Sequence, residues 1–361
     1  MIAWFRYICL IVSLIITMPE LLSAQRLVSQ RQEDVEAGLL YNESVYILSN
    51  YSCLSSNSPE KLSLDELLRK QIEGFYFYLK RDTETNVLLL RKPDGTFTPF
   101  SESLEAIKTA LDADSTKVMT LFLDFYVETE LESSFKEIGL MEYVLEYDTK
   151  NGWPSLKDML SSGKRLVVFE VQKHLNSPSW LHNMRDFVEH TDADWGNQPE
   201  GVESFDERLK KNLSLFTGYK FLETSRGNSN DISALARQTP YLIESFKRAW
   251  IRDGRVPNFI LVDKYYAWLD VSLVTFRNFD IIYGAVTNNN ELLNYVNWDG
   301  MSNYTTGKYC FPLEPGAELM LSPISPGYRI EPTTVYVSGT QRKAFASDFK
   351  ARPCLLYTSD A

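Results

Sequence analysis

The sequence predicts an α/β fold: a TIM-like (β/α) barrel followed by a β-rich C-terminal appendage. Three observations carry this reading. Near-continuous apolar, β-branched runs recur along the chain, which is how strands buried on both faces of a parallel sheet read. Segments of helical spacing separate them, giving the alternating order of a parallel sheet covered by helices. After about Asn288, Pro312, Pro315, Pro323, Pro326 and Pro332 break the chain into short runs and helical periodicity stops.

The elements follow in order. Val45–Leu48 is a short strand, followed by Gly74–Leu79 and Val87–Leu90. Ser101–Leu111 carries Leu104, Ile107, Ala110 and Leu111 at helical spacing. Val118–Leu123 is a buried strand, and Leu131–Met141 reads as a helix. Ser155 after Pro154 is an N-cap for a helix over Ser155–Leu160. Arg165–Phe169 is a strand, Trp180–Val188 a helix, and Leu215–Leu222 a weaker strand. Ile232–Trp250 is a long helix, Asn258–Val262 a strand, Leu269–Phe279 a helix and Ile281–Val286 a last apolar run. A full set of eight strands needs the segments near Tyr143 and Phe216, where the pattern is weakest.

Composition narrows the function classes. The 361 residues are 44% hydrophobic and 13% aromatic, which is globular. A net charge of −11 argues against a nucleic-acid groove, because phosphate neutralisation needs clustered Lys and Arg. Arg6, the apolar run Tyr7–Thr17 and Leu22-Ser23-Ala24-Gln25 have the layout of a secretory signal cleaved after Ala24. The run is short for a transmembrane helix, and no later stretch is apolar enough to span a bilayer. A secreted chain is expected. The organisation is then 1–24 signal peptide, 25–287 barrel, 288–350 β-rich appendage or start of a second domain, and 351–361 a tail resembling a translated sequencing adapter.

Cys53, Cys310 and Cys354 lie outside the signal segment, an odd and widely spaced set that forms no disulfide framework. A Cys53–Cys310 bridge is one option in an exported chain, free thiols the other. Asn42, Asn50, Asn212 and Asn303 open glycosylation triplets, relevant only in a eukaryotic secretory route. His174, His182 and His190 are spaced by eight and make no metal-ligand pair; surface or loop positions are expected, the alternative being a weak cation site at His190 with Asp192 and Asp194. The chain has no GxSxG, GxxxxGK[ST] or HExxH motif.

Three segments resemble a known family. Trp153-Pro-Ser-Leu-Lys-Asp-Met-Leu followed by Gly163-Lys-Arg-Leu-Val-Val-Phe is similar to the "WPTL-x-EM(I/L)…GKRLVVF" segment of the phosphatidylinositol-phospholipase-C-like phosphodiesterases. Val118-Met-Thr-Leu-Phe-Leu-Asp-Phe-Tyr resembles their "VVTL-x-LEDY" strand, and Arg255-Val-Pro-Asn-Phe-Ile-Leu-Val-Asp263 their "PNFILVDF" strand. The three stand in family order and, with weaker matches, cover about residues 40–285. The resemblance implies a TIM-like barrel that, in active members, cleaves phosphodiesters of inositol lipids. It also implies two catalytic histidines, a general base and a general acid titrating near working pH. Carboxylates with Ca²⁺, or an Arg, stabilise the charge of the transition state.

At the matching positions this chain departs from the pattern. The family's first histidine falls on Asn50, its strand Arg on Tyr76 and the strand's acidic residue on Leu79; its second histidine falls near Leu90-Arg91-Lys92. No register shift restores the pair, because residues 1–173 contain no histidine. An amide cannot act as the base. Asp124, Glu170 and Asp263 end strands, where barrel sites are built. They are candidates for a mouth site with Asn50, Tyr76 and Arg91, with Asp124 as a metal position if Ca²⁺ binds; the alternative is helix caps and ordinary ion pairs. The expected function is a non-catalytic barrel binding a small molecule, glycan, lipid headgroup or partner protein. The alternatives are an active phosphoric diester hydrolase on phosphoinositides or glycerophosphodiesters with a carboxylate- or metal-based site, and a purely structural surface module.

Overall fold

The computed structural model describes residues 31–49, 51–53, 63–70, 72–125, 131–172, 174, 176–192, 215–219, 247, 250–251, 256, 258–262, 277–300, 304–305, 307–339 and 342–354. Ten strands make the first sheet: β1 (Tyr46–Ser49), β2 (Gly74–Arg81), β3 (Leu88–Arg91), β4 (Phe97–Pro99), β5 (Met119–Asp124), β6 (Leu166–Glu170), β7 (Leu181–Asn183), β8 (Val188–Asp192), β9 (Leu215–Tyr219) and β10 (Phe259–Val262). Its order is β7-β6-β5-β2-β1-β10-β9-β8, and every neighbour on that path is parallel. Read as a circle, the eight follow chain order. β3 and β4 form an antiparallel excursion from β2.

The sheet is strongly curled. Phe169 on β6 and Phe259 on β10 are four strand steps apart, about 19 Å if the sheet were flat. Their ring centroids lie 6.2 Å apart. Phe122 on β5 meets Phe259 at 5.2 Å. The inner face therefore gathers Tyr46, Leu48, Tyr76, Phe122, Val167, Phe169 and Phe259. The outer face carries Ile47, Phe75, Phe77, Leu121, Leu123 and Val168 against the helices. Those helices are α1 (Leu64–Arg69), α2 (Phe100–Ala113) and α3 (Leu131–Ile138), whereas α4 (Leu156–Ser162) packs Leu156 and Met159 into the inner cluster.

Among the described residues the circle does not close: β7 and β8 are not paired. Only α5 (Met184–Phe187), a single turn, separates them. A parallel crossover needs a dozen or more residues, so this link cannot set the two strands side by side. The same segment corrects the expected helix over Trp180–Val188. Its apolar spacing suits a helix, but Leu181–Asn183 pairs with β6, and the Asn183 side chain accepts from the Arg185 amide to start only one turn. The helix expected over Leu131–Met141 ends at Ile138, where Gly139 turns left-handed with φ 81°. Ser155 is the expected N-cap, its hydroxyl accepting from the Asp158 amide.

Ile281–Val286 belongs to a second, β-rich region rather than to the first sheet. It lies in β11 (Asp280–Asn288), which pairs with Lys308–Leu313 and with Lys343–Pro353. The strand Lys343–Pro353 continues to residue 353 in register with Tyr328–Glu331. The core of this region is built on Trp298, whose ring meets Tyr309, Phe311 and Phe349 edge-on. No helix among the described residues is long and apolar enough to cross a membrane. Cys310 is a free buried thiol that accepts from the Trp250 indole at 3.0 Å, so the Cys53–Cys310 bridge is not formed.

Candidate functional site

Side-chain alternation decides which strand-end groups meet. On β5, Thr120, Phe122 and Asp124 share the inner face; on β2, Tyr76 does. Tyr76 stands in register with Phe122, and its phenol reaches up to donate to Asp124 Oδ2 at 2.8 Å. Asp124 Oδ1 is buried and, among the described residues, has no partner. A buried acceptor left unsatisfied costs about 1–3 kcal/mol, so this oxygen is in need of a donor.

Glu170 belongs to the other face of β6, with Leu166 and Val168. It is buried, and its partners are His174, whose Nδ1 lies 2.9 Å from Oε2, Ser177, whose hydroxyl donates at 2.6 Å, and Asn183 at 3.4 Å. None of these is Asp124. His174 lies flat on Phe125, with ring centroids 4.4 Å apart and planes 5° apart. The two acidic strand ends are thus neighbours through the Phe125–His174 stack but form separate groups. The Glu170–His174 pair was not singled out from the sequence, although its signal is visible there: a carboxylate ending a strand and an imidazole four residues later.

The remaining candidates scatter. Arg91 ends β3 with an exposed side chain; its carbonyl accepts from the Ser52 hydroxyl, which accepts in turn from the Tyr78 amide. Asn50 and Asp263 lie outside the described residues. The expectation of surface histidines fails at His182. It is buried on β7 against Trp153, Phe169 and Phe187, with Nε2 3.2 Å from the Leu145 carbonyl, and burial lowers its pKa. No group of three or more His, Cys, Asp or Glu among the described residues could hold a metal. Calcium takes six to eight oxygens; one free carboxylate oxygen at Asp124 falls far short of that set.

As described, the mouth sets one carboxylate, Asp124, beside the aromatic residues Tyr76 and Phe122. It brings no imidazole to Asp124. Among the described residues the imidazole of His174, oriented by Glu170, stands near these strand ends.

Residues 90–199 match the model of the PI-PLC X family. None of the curated proteins matches the chain. Among solved structures it is similar to the phosphatidylinositol-specific phospholipase C from Listeria monocytogenes, at 14% identity over 68% of this chain and 98% of that one, TM-score 0.42. It is similar too to a mutant of the phosphatidylinositol-specific phospholipase C from Staphylococcus aureus, at 12% identity over 66% of this chain and 97% of that one, TM-score 0.41. The match over residues 90–199, under half of the chain, is what makes that segment consistent with a divergent member of the PLC-like phosphodiesterase superfamily.

Proposed function

We propose that the protein is an exported, non-catalytic member of this superfamily that binds a polar ligand at the sheet's mouth. One observation carries the reading: Tyr76 stands where the resemblance expects a cationic Arg, and its phenol occupies one oxygen of Asp124 while leaving the other buried and unpartnered. A phenol cannot neutralise phosphorane charge as a guanidinium does. The chain also has no histidine before His174, and loss of a general acid or base costs roughly 10²–10⁴ in rate per group. The ligand class that fits is a hydroxyl- or amine-bearing small molecule, glycan or lipid headgroup donating to Asp124.

A second reading rests on Glu170 and His174. A carboxylate that orients Nδ1 leaves Nε2 as a base, so an active phosphoric diester hydrolase on a divergent site is the competitor. Purified protein assayed on phosphatidylinositol vesicles and glycerophosphodiesters, with and without Ca²⁺, separates the two. The expected result is no turnover above background in either condition. Turnover abolished by Asp124→Ala or by His174→Gln would overturn the non-catalytic reading.

A further inference from the structure

A cavity of ≈ 570 Å³ lies away from the mouth, between the helical segment 31–36 and the β-rich region. Its wall includes Glu33, Glu36, Asp280, Gly339, Arg342 and Lys343. The volume is in the range of small-ligand sites.

Asp280 sits at the first position of β11 and is 6% exposed. Among the described residues its carboxylate accepts no hydrogen bond and joins no ion pair; it feels only the fields of Arg342 and Glu33. Burial pushes its pKa up to about 6. Gly339 keeps the space in front of it open, since a Cβ there would come within 2.9 Å of Asp280 Oδ2.

The cations in the wall are already committed. Arg342 Nε donates to Asp34 at 2.6 Å, and its other nitrogens donate to the carbonyls of Arg277 and Phe279. Lys343 is bonded to Glu43 and lies over the Tyr283 ring. Among the described residues Glu36 accepts only from the neutral Gln32 amide. Asp280, Glu33 and Glu36 are thus carboxylates that join no ion pair among the described residues, with Arg342 acting on Asp280 through its field alone. They do not converge tightly enough for a metal ion, because no such cluster exists among the described residues.

We propose that this cavity binds an extended organic cation, an amine or guanidinium compound whose charged end pairs with Asp280 while Glu33 and Glu36 hold its other end. Carboxylates spread around a cavity suit cationic groups spaced along a flexible chain, each donating several N–H bonds.

Calorimetric titration of the full chain with spermidine and with agmatine, in 0.15 M salt at pH 7.5, tests this. One saturable site is expected, weakened at least tenfold by Asp280→Asn and several-fold by Glu36→Gln. At pH 5, where Asp280 takes up its proton, binding should fall in the parent, with Glu33, Glu36, Arg342 and Lys343 as the other charged groups facing the site. Equal affinity for neutral 1,4-butanediol, displacement by millimolar Ca²⁺, or an unchanged affinity in Asp280→Asn would overturn the proposal. If Asp280→Asn does not fold by circular dichroism, the Glu33→Gln/Glu36→Gln double variant decides, and unchanged affinity there rejects the site.

Discussion

Arg165 donates to the carbonyls of Leu111, Asp114 and Lys117. Leu111 lies in the last turn of α2, whose carbonyls have no partner within the helix, and Asp114 and Lys117 lie in the link to β5; the guanidinium, in a residue 5% exposed, ties the two together from inside. Trp153 acts by packing: its ring stands 4.9 Å from that of Tyr41, whose amide donates to the Pro154 carbonyl. Arg165 and Trp153, two residues of the segments that carry the resemblance, thus hold the fold together. Arg165→Met should destabilise the fold by about 3 kcal/mol, because three carbonyls lose charge-assisted partners and stay buried. Urea unfolding measures it; a loss under 1 kcal/mol would show that water replaces the guanidinium. Asp124 was visible in the sequence as a strand-end carboxylate. Its partner Tyr76 was visible only as a displaced Arg, since the sequence does not record which hydroxyl reaches which oxygen.

Strands fared best at the element scale. Val118–Leu123 and Arg165–Phe169 appear as β5 and β6 within a residue, because both are apolar on both faces and read as strands whatever surrounds them. Trp180–Val188 did not, since its pairing with β6 is a long-range contact that local spacing cannot encode. The seam between β7 and β8 has the same origin: it depends on a linker too short for a crossover. Gly74 shows the opposite case, a position that packing alone dictates. A Cβ there would overlap the Thr120 carbonyl and press on Leu48, because β1, β2 and β5 converge at that point. Gly74→Ala is expected to cost about 1–3 kcal/mol as overpacking, read as a lower midpoint in thermal unfolding. An unchanged midpoint would mean that the strands can part by several tenths of an ångström without penalty.

Across the whole molecule, a buried ionic network fastens the β-rich region beneath the first sheet. Glu73, just before β2, pairs with Arg31 and with Arg277, and Arg31 pairs with Asp34, which also accepts from Arg342. Removing one member of such a set leaves an uncompensated charge, so the two regions are expected to unfold together. Two groups then shape the acid response in opposite directions. Asp280, raised to about 6 by burial, holds more protons folded than unfolded between about pH 4 and 6. Its charged form opposes folding above about pH 6, and that penalty is relieved as pH falls. His182, lowered by burial, binds fewer protons folded than unfolded. Its contribution is lost as pH falls below about 6.5, the ordinary imidazole value. In the parent the two slopes partly cancel between pH 7 and 5. Asp280→Asn removes the first and leaves the second, so this variant should be more stable than the parent at pH 7 and lose stability more steeply on acidification. Urea midpoints at pH 7, 6 and 5 for both proteins measure the difference, and parallel pH profiles would show that the Asp280 carboxylate is solvated in the native state.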